Sequence, residues 1–169
     1  MQLIEIDKAR YHKHLRVVFA GIAVALMLVT VAASTLFIYL FSVPDVSHFL
    51  HNLAGVASAA VIVFIVLSKL RQHPYLFEVV YVWDLKQQLN RIHRKLRKIE
   101  VAVENNDDDA MNIMNYMYRG SKQLYELDDN VITMDSLDSK LSVLNQRMKD
   151  AGLSLSTDAY NPTMLDRFN

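Results

Sequence analysis

From Val17 to Phe41 the chain reads VVFAGIAVALMLVTVAASTLFIYLF, and from Phe49 to Ser68 it reads FLHNLAGVASAAVIVFIVLS. These runs hold 25 and 20 residues without one charge. A helix rises about 1.5 Å per residue, so about 20 apolar residues suffice to cross a hydrocarbon core of ~30 Å. Only Ser42 to His48 lie between them. The two runs therefore predict a transmembrane helical hairpin, because a bilayer requires backbone amides and carbonyls to be satisfied within their own segments.

The lengths of these runs bear on two other readings. A cleaved signal peptide would suit the basic residues before Val17 and the small residues Val31-Ala32-Ala33, but an h-region is about 7–15 residues and this run continues through Leu36 to Phe41. A buried core helix would suit the second run, yet its apolarity on all faces beside a stronger neighbour favours a span. Lys8, Arg10, Lys13 and Arg16 precede the first run and Lys69 and Arg71 follow the second, whereas the turn holds Asp45 and no Lys or Arg. Both termini are expected to face the cytoplasm.

Composition alone would not have said so. The chain has 169 residues, 52% of them hydrophobic, and no cysteine, which is compatible with an ordinary single domain. Its zero net charge conceals an asymmetry: residues 1–100 hold 12 Lys and Arg against 6 Asp and Glu, and residues 101–169 hold 6 against 12. The halves thus carry +6 and −6. Juxtamembrane cations are attracted to anionic headgroups, so the bilayer surface is the expected partner of the basic half.

Beyond the hairpin the pattern reads as helix throughout, giving an all-α membrane protein with a cytoplasmic helical bundle or coiled coil over residues 73–152. The expected divisions are a basic segment 1–16, a hairpin 17–72 with helices at about 17–41 and 49–68, this three-helix region, and a polar tail 153–169 in which Asn161-Pro162 can start a short helix. His73-Pro74 interrupts the helix leaving the membrane and starts the next one. Tyr75 to Trp83 is apolar on nearly every face, with aromatics suited to headgroup level. From Val82 the residues Leu85, Leu89, Ile92, Leu96, Ile99 and Val103 recur at spacings of three and four, a heptad seam that requires a partner. Asn105 to Asp109 reads as a break and an acidic cap for a helix from about Ala110 to Leu127. Asp135 reads as the cap of a third, with Leu137, Leu141, Leu144 and Met148 as its apolar stripe and Gly152 as its stop.

Chemistry is sparse in this sequence. His12 and His14 fall on different helix faces and neither has a carboxylate three or four residues on. His48 and His51 can share a face near the outer end of the second run, beside Asn52, and ionisable groups at a bilayer are costly enough to be candidate functional sites. Gly55 and Ala59 continue that face, and Gly21, Ala25 and Ala32 give the first helix a matching row of small residues for close packing. The Asp107-Asp108-Asp109 and Asp128-Asp129 clusters lack the alternation of a calcium loop and read as caps and turns. No phosphate loop, nucleophile elbow or zinc-protease motif is present. No cofactor, metal or catalytic residue is expected. Arg91, Arg94, Lys95 and Lys98 can form a basic stripe, but without interleaved aromatics it does not read as a nucleic-acid surface.

Particular strings carry a family resemblance. They are Ile6 to His14 (IDKARYHKH), His73-Pro74-Tyr75, Glu78 to Ile92 (EVVYVWDLKQQLNRI), Gly120 to Leu124 (GSKQL) and Leu127 to Met134 (LDDNVITM). The chain resembles a family of small gammaproteobacterial two-helix inner-membrane proteins catalogued as a domain of unknown function. The resemblance covers nearly the whole chain and implies an inner-membrane setting, with no activity or ligand to carry over. It draws attention to Glu78, Trp83, Lys86, Gln87, Asn90 and Arg91, with Arg94, as a membrane-surface or junction group. Lys86, Asn90 and Trp83 share a helix face from which they can meet the loop Asp128 to Met134.

Two functions are compatible with these residues. The first is a non-enzymatic, membrane-anchored helical scaffold or regulator that self-associates through the seam Leu85, Leu89, Ile92, Leu96 and Ile99 and presents an acidic surface to a cytoplasmic protein. The alternative is a small oligomeric transport or pore-forming protein whose path touches His48, His51 and Asn52. Neither hydrophobic helix carries a polar stripe through its full depth, which favours the first.

Overall fold

A computed structural model describes residues 2–43, 47–130 and 133–168. Asp45 of the hairpin turn, Val131 and Ile132 of the Asp128–Met134 loop, and Asn169 lie outside the described residues. Every regular element among those described is helical: α1 (Lys8–Phe41), α2 (Phe49–Leu70), α3 (Phe77–His93), α4 (Leu96–Glu104), α5 (Asp108–Leu127) and α6 (Met134–Asp150), with 3₁₀ turns at Pro74–Leu76, Thr157–Ala159 and Pro162–Phe168. The chain divides into two compact units, one of residues 7–80 and one of residues 1–6 with 81–169.

In the unit of residues 7–80, α1 and α2 pack as an antiparallel hairpin. The first helix begins at Lys8 rather than near Val17, so residues 8–16 are not a separate basic segment. The reason is local: the Asp7 carboxylate accepts from the Arg10 amide at 3.0 Å, capping a stretch free of helix breakers. Where the helices meet, Ser34, Gly55, Ala59 and Val63 are buried. A Cβ on Gly55 would stand 2.1 Å from Ser34 Oγ and 2.8 Å from its backbone nitrogen, so only glycine permits this approach. The row expected on α1 is displaced by one or two positions. Gly21 has open space around it and Ala32 is exposed, whereas Ser34 makes the contact. The small-residue logic holds, but the helix phase selects other residues.

In the unit of residues 1–6 and 81–169, α5 is the central helix, packed against α4, α6 and the C-terminal 3₁₀ turns. Ten of its residues are buried, among them Met111, Ile113 and Tyr116, each 0% exposed. It starts at Asp108, two residues ahead of expectation, because Asp107 accepts from the Ala110 amide at 2.9 Å and three acids complement the amide end. Asn106, in the left-handed region at φ 57°, makes the reversal from α4.

Three expectations are corrected in this unit. The heptad seam does not lie on one helix, since a turn at Arg94-Lys95 separates α3 from α4. Asp135 sits within the first turn of α6, and Thr133 occupies the cap position without a side-chain bond. The polar tail is folded: Tyr160, Leu165 and Phe168 are 6%, 4% and 9% exposed. The short helix expected after Asn161-Pro162 is the 3₁₀ turn Pro162–Phe168, but the irregular spacing of the three apolar residues matches neither a helical nor a strand period and gave no sign of their burial. The tail starts where α6 ends in a Schellman motif, with Gly152 at φ 70° and the Leu153 amide bonded to the Met148 carbonyl at 2.8 Å.

Candidate functional site

The residues singled out from sequence fall in four places. The seam comes first because its fate decides how the chain can interact. Leu85, Ile92 and Ile99 are fully buried, Leu89 is 8% exposed and Leu96 is half-buried. Side-chain carbons of Leu85 and Leu89 both stand 3.2 Å from the point where a Cβ on Gly120 would lie, so α5 of the same chain covers them. The seam required a partner and finds it internally. Side chains sealed from solvent in this way serve the internal core of the unit.

The second place is the turn end of the hairpin. His48 precedes α2 and is exposed, with its Nδ1 3.4 Å from Ser42 Oγ. The His48 and His51 rings meet edge to face at 6.0 Å. His51 is half-buried and its Nδ1 is enclosed without a hydrogen-bond partner among the described residues, while Asn52 is exposed, its backbone amide donating to the His48 carbonyl at 3.0 Å and its carbonyl accepting from Ser34 Oγ at 3.5 Å. The two imidazoles are brought together; the Asn52 side-chain amide is not turned toward them by any bond.

The third place was legible only in part. Within the unit of residues 7–80, Glu78 is 5% exposed and takes Arg10 Nε at 2.8 Å on one oxygen and His14 Nδ1 at 3.1 Å on the other. His14 is itself 7% exposed, and its ring lies 3.9 Å from that of Tyr75. A buried carboxylate costs several kcal/mol unless it is paired, and here both oxygens are engaged by groups that can donate to it. Looking for a carboxylate one helical turn from His14 missed this site. Its acid lies 64 residues away in sequence.

The fourth place is the α3 face. Lys86 Nζ stands 3.1 Å from Asp128 Oδ2, Asn90 is exposed, and Trp83 is 60% exposed. Arg91 and Arg94 are exposed, on the side of the helix away from the buried seam. A feature not foreseen adjoins this face: the Tyr81 hydroxyl accepts from the Ile4 amide at 3.0 Å and donates to Gln123 Oε1 at 2.8 Å, and Gln123 Nε2 donates back to the Ile4 carbonyl. Both backbone groups of Ile4 are thus satisfied by side chains of α3 and α5. Burial raises the Tyr81 pKa above its ordinary value, against the lowering effect of these bonds.

A parallel set of bonds holds the C-terminal segment. The Tyr160 ring stacks on Tyr116 with centroids 4.2 Å apart and planes 24° from parallel, and its hydroxyl accepts from Gln88 Nε2. Asn115, 0% exposed, donates to the carbonyls of Leu155 and Ser156 at 3.1 and 3.3 Å and accepts from Arg119 Nε at 2.8 Å. Burial pushes both tyrosine hydroxyls upward in pKa, Tyr116 most strongly, since its oxygen is buried without a partner among the described residues. No group of three His, Cys, Asp or Glu side chains placed to hold a metal ion occurs among the described residues.

The architecture defines an all-helical protein with two helices long and apolar enough to cross a membrane. Residues 1–165 match the family described as "Protein of unknown function (DUF3087)", and the chain belongs to that family. No curated protein and no solved structure matches the chain.

Proposed function

We propose that this chain is a non-enzymatic, membrane-anchored helical interaction protein of the bacterial inner membrane. In this reading α1 and α2 span the bilayer as a hairpin with both termini in the cytoplasm, and the helical unit of residues 81–169 meets a cytoplasmic protein partner. The observation that carries it is the apolar surface the hairpin leaves uncovered. Phe19, Met27, Leu28, Phe41, Phe49, Leu50 and Phe64 are each 63–71% exposed. A protein in water rarely exposes more than a few hundred Å² of continuous apolar surface, and a hydrocarbon phase removes that penalty. The charges agree: Lys8, Arg10, Lys13 and Arg16 at one end of α1, and Lys69 and Arg71 at the matching end of α2, place the basic ends on one side.

The absence of native cysteine makes the topology directly measurable. Single variants Ser47→Cys and Ser154→Cys are labelled in intact cells with a membrane-impermeant maleimide after the outer membrane is permeabilised. Labelling of Ser47→Cys from outside, and of Ser154→Cys only after the inner membrane is broken, is expected. Release of the protein from membranes by alkaline carbonate, or the reverse labelling pattern, would remove the proposal. Crosslinking in intact cells that yields no adduct to another protein would remove its interaction half.

A further inference from the structure

The turn between α3 and α4 gathers five basic side chains, of which Lys95 is tied to the C-terminal segment by a bond to the Leu165 carbonyl. Arg91, Arg94, Lys95, Arg97 and Lys98 form one wall of a groove of about 620 Å³, and the segment 162–168 forms the other. That volume falls in the ordinary range for small-molecule clefts, about 300–1,000 Å³. Asp166 is the one acid among the described residues of its lining, whose side chains together carry a formal charge of +4.

The pairing elsewhere in this unit shows what is unusual here. Lys86 pairs with Asp128 at 3.1 Å, Lys122 with Asp138 at 2.6 Å, and Arg167 with both Asp107 and Asp109. Arg91, Arg94, Arg97 and Lys98 form no ion pair among the described residues, although residues 101–169 hold 12 acids. Two of the three acids at the start of α5, Asp107 and Asp109, are taken by Arg167, which ties the last 3₁₀ turn down and keeps them from the groove cations Arg91, Arg94, Arg97 and Lys98.

The opposite wall is built rather than loose. Lys95 Nζ donates to the Leu165 carbonyl at 2.7 Å, Leu165 and Phe168 are buried, and the Tyr160–Tyr116 stack anchors the segment just before it. Four cations held beside an apolar, fixed wall repel one another, and a bound anion of several charges relieves this. Guanidinium groups present two parallel N–H donors that match phosphate and carboxylate oxygens alike, and the greater charge of a phosphate suits a cluster of four cations.

We infer that this groove binds an anion carrying two or more phosphates, supplied either as a soluble phosphorylated metabolite or as a lipid headgroup. The inference stands apart from the topology proposed above, because the groove lies wholly in the unit of residues 1–6 and 81–169. A single-stranded nucleic acid is disfavoured, since Phe168 is 9% exposed and no aromatic ring lining the groove is free to stack on bases.

The test is calorimetric titration of the full chain, in a neutral detergent, with inorganic tripolyphosphate. Saturable binding with one site is expected, weaker by about tenfold or more in Arg94→Gln/Arg97→Gln, and falling as salt rises. Both residues are exposed, so an unchanged melting curve shows that the double variant folds. Lys122→Gln/Lys140→Gln, elsewhere on the surface, is expected to bind as the wild type does. Native mass spectrometry distinguishes the sources. Diphosphorylated lipid retained by wild type and lost from the double variant assigns the headgroup; tripolyphosphate binding without such retention assigns a soluble ligand. The inference is overturned by equal tripolyphosphate affinity in wild type and double variant, by equal affinity for monophosphate and tripolyphosphate, or by tighter binding of an oligonucleotide than of tripolyphosphate.

Discussion

Replacing Tyr160 with alanine should unfasten the C-terminal segment and with it much of the stability of the unit of residues 81–169. The ring is 6% exposed and stacked on Tyr116, and its hydroxyl satisfies Gln88, itself 8% exposed. Deleting a buried aromatic ring costs about 3–5 kcal/mol, which includes ~0.5–1.5 kcal/mol from the stacked pair. Stranding the Gln88 amide adds to this, since an unsatisfied buried donor costs about 1–3 kcal/mol. A loss of about 4 kcal/mol is a large share of the ~5–15 kcal/mol that a domain possesses. Tyr160→Phe keeps the ring and removes only the hydroxyl, so about 1 kcal/mol is expected from the lost hydrogen bond. Hydrogen exchange of the α5 peptides, followed by mass spectrometry on the full chain in mild detergent, reads this unit without interference from the hairpin. At about 1.4 kcal/mol per factor of ten, protection should fall roughly 10³-fold for Tyr160→Ala and about fivefold for Tyr160→Phe. Protection in Tyr160→Ala within twofold of wild type would refute the claim that the tail belongs to the core.

Gly55→Val should force the hairpin apart, because its first side-chain carbon meets Ser34 at 2.1 Å, whereas Gly21→Val, with nothing within 4 Å, should be silent; thermal size-exclusion of the two variants in detergent compares them directly. Glu78→Ala strands His14 and releases Arg10, and losing charge-assisted hydrogen bonds should cost about 1.5–3 kcal/mol, read as faster exchange in the first turns of α1, while exposed Lys13→Ala should leave exchange unchanged. Stability of the unit of residues 81–169 should also fall in alkali. Burial raises Tyr81, Tyr116, Tyr118 and Tyr160 above the ordinary tyrosine value near 10.0. The folded state therefore holds protons that the unfolded state releases, so this contribution is complete below about pH 10 and declines as pH rises beyond it. Urea titrations at pH 8 and pH 11 should show a lower midpoint at pH 11, and equal midpoints would contradict it.

The two apolar runs, the helix breaks at His73-Pro74 and Gly152, and the acidic start of α5 could all be read from sequence. Each is a local signal: hydrophobic length, a missing amide donor, a residue that accepts positive φ, a carboxylate beside free N–H groups. The stripe Leu137, Leu141, Leu144 and Met148 is buried as its period required. Only tertiary structure decided what the heptad seam faces, because periodicity reports that an apolar stripe needs cover and not which chain or helix supplies it. Gly120, which admits Leu85 and Leu89 against α5, carries no signal of this in its neighbours. The same limit applies to Glu78 with His14, to Ile4 with Tyr81 and Gln123, and to Tyr160 with Tyr116, whose partners lie tens of residues apart. Such pairings depend on how helices dock, and a linear pattern holds no record of docking until the core has selected it.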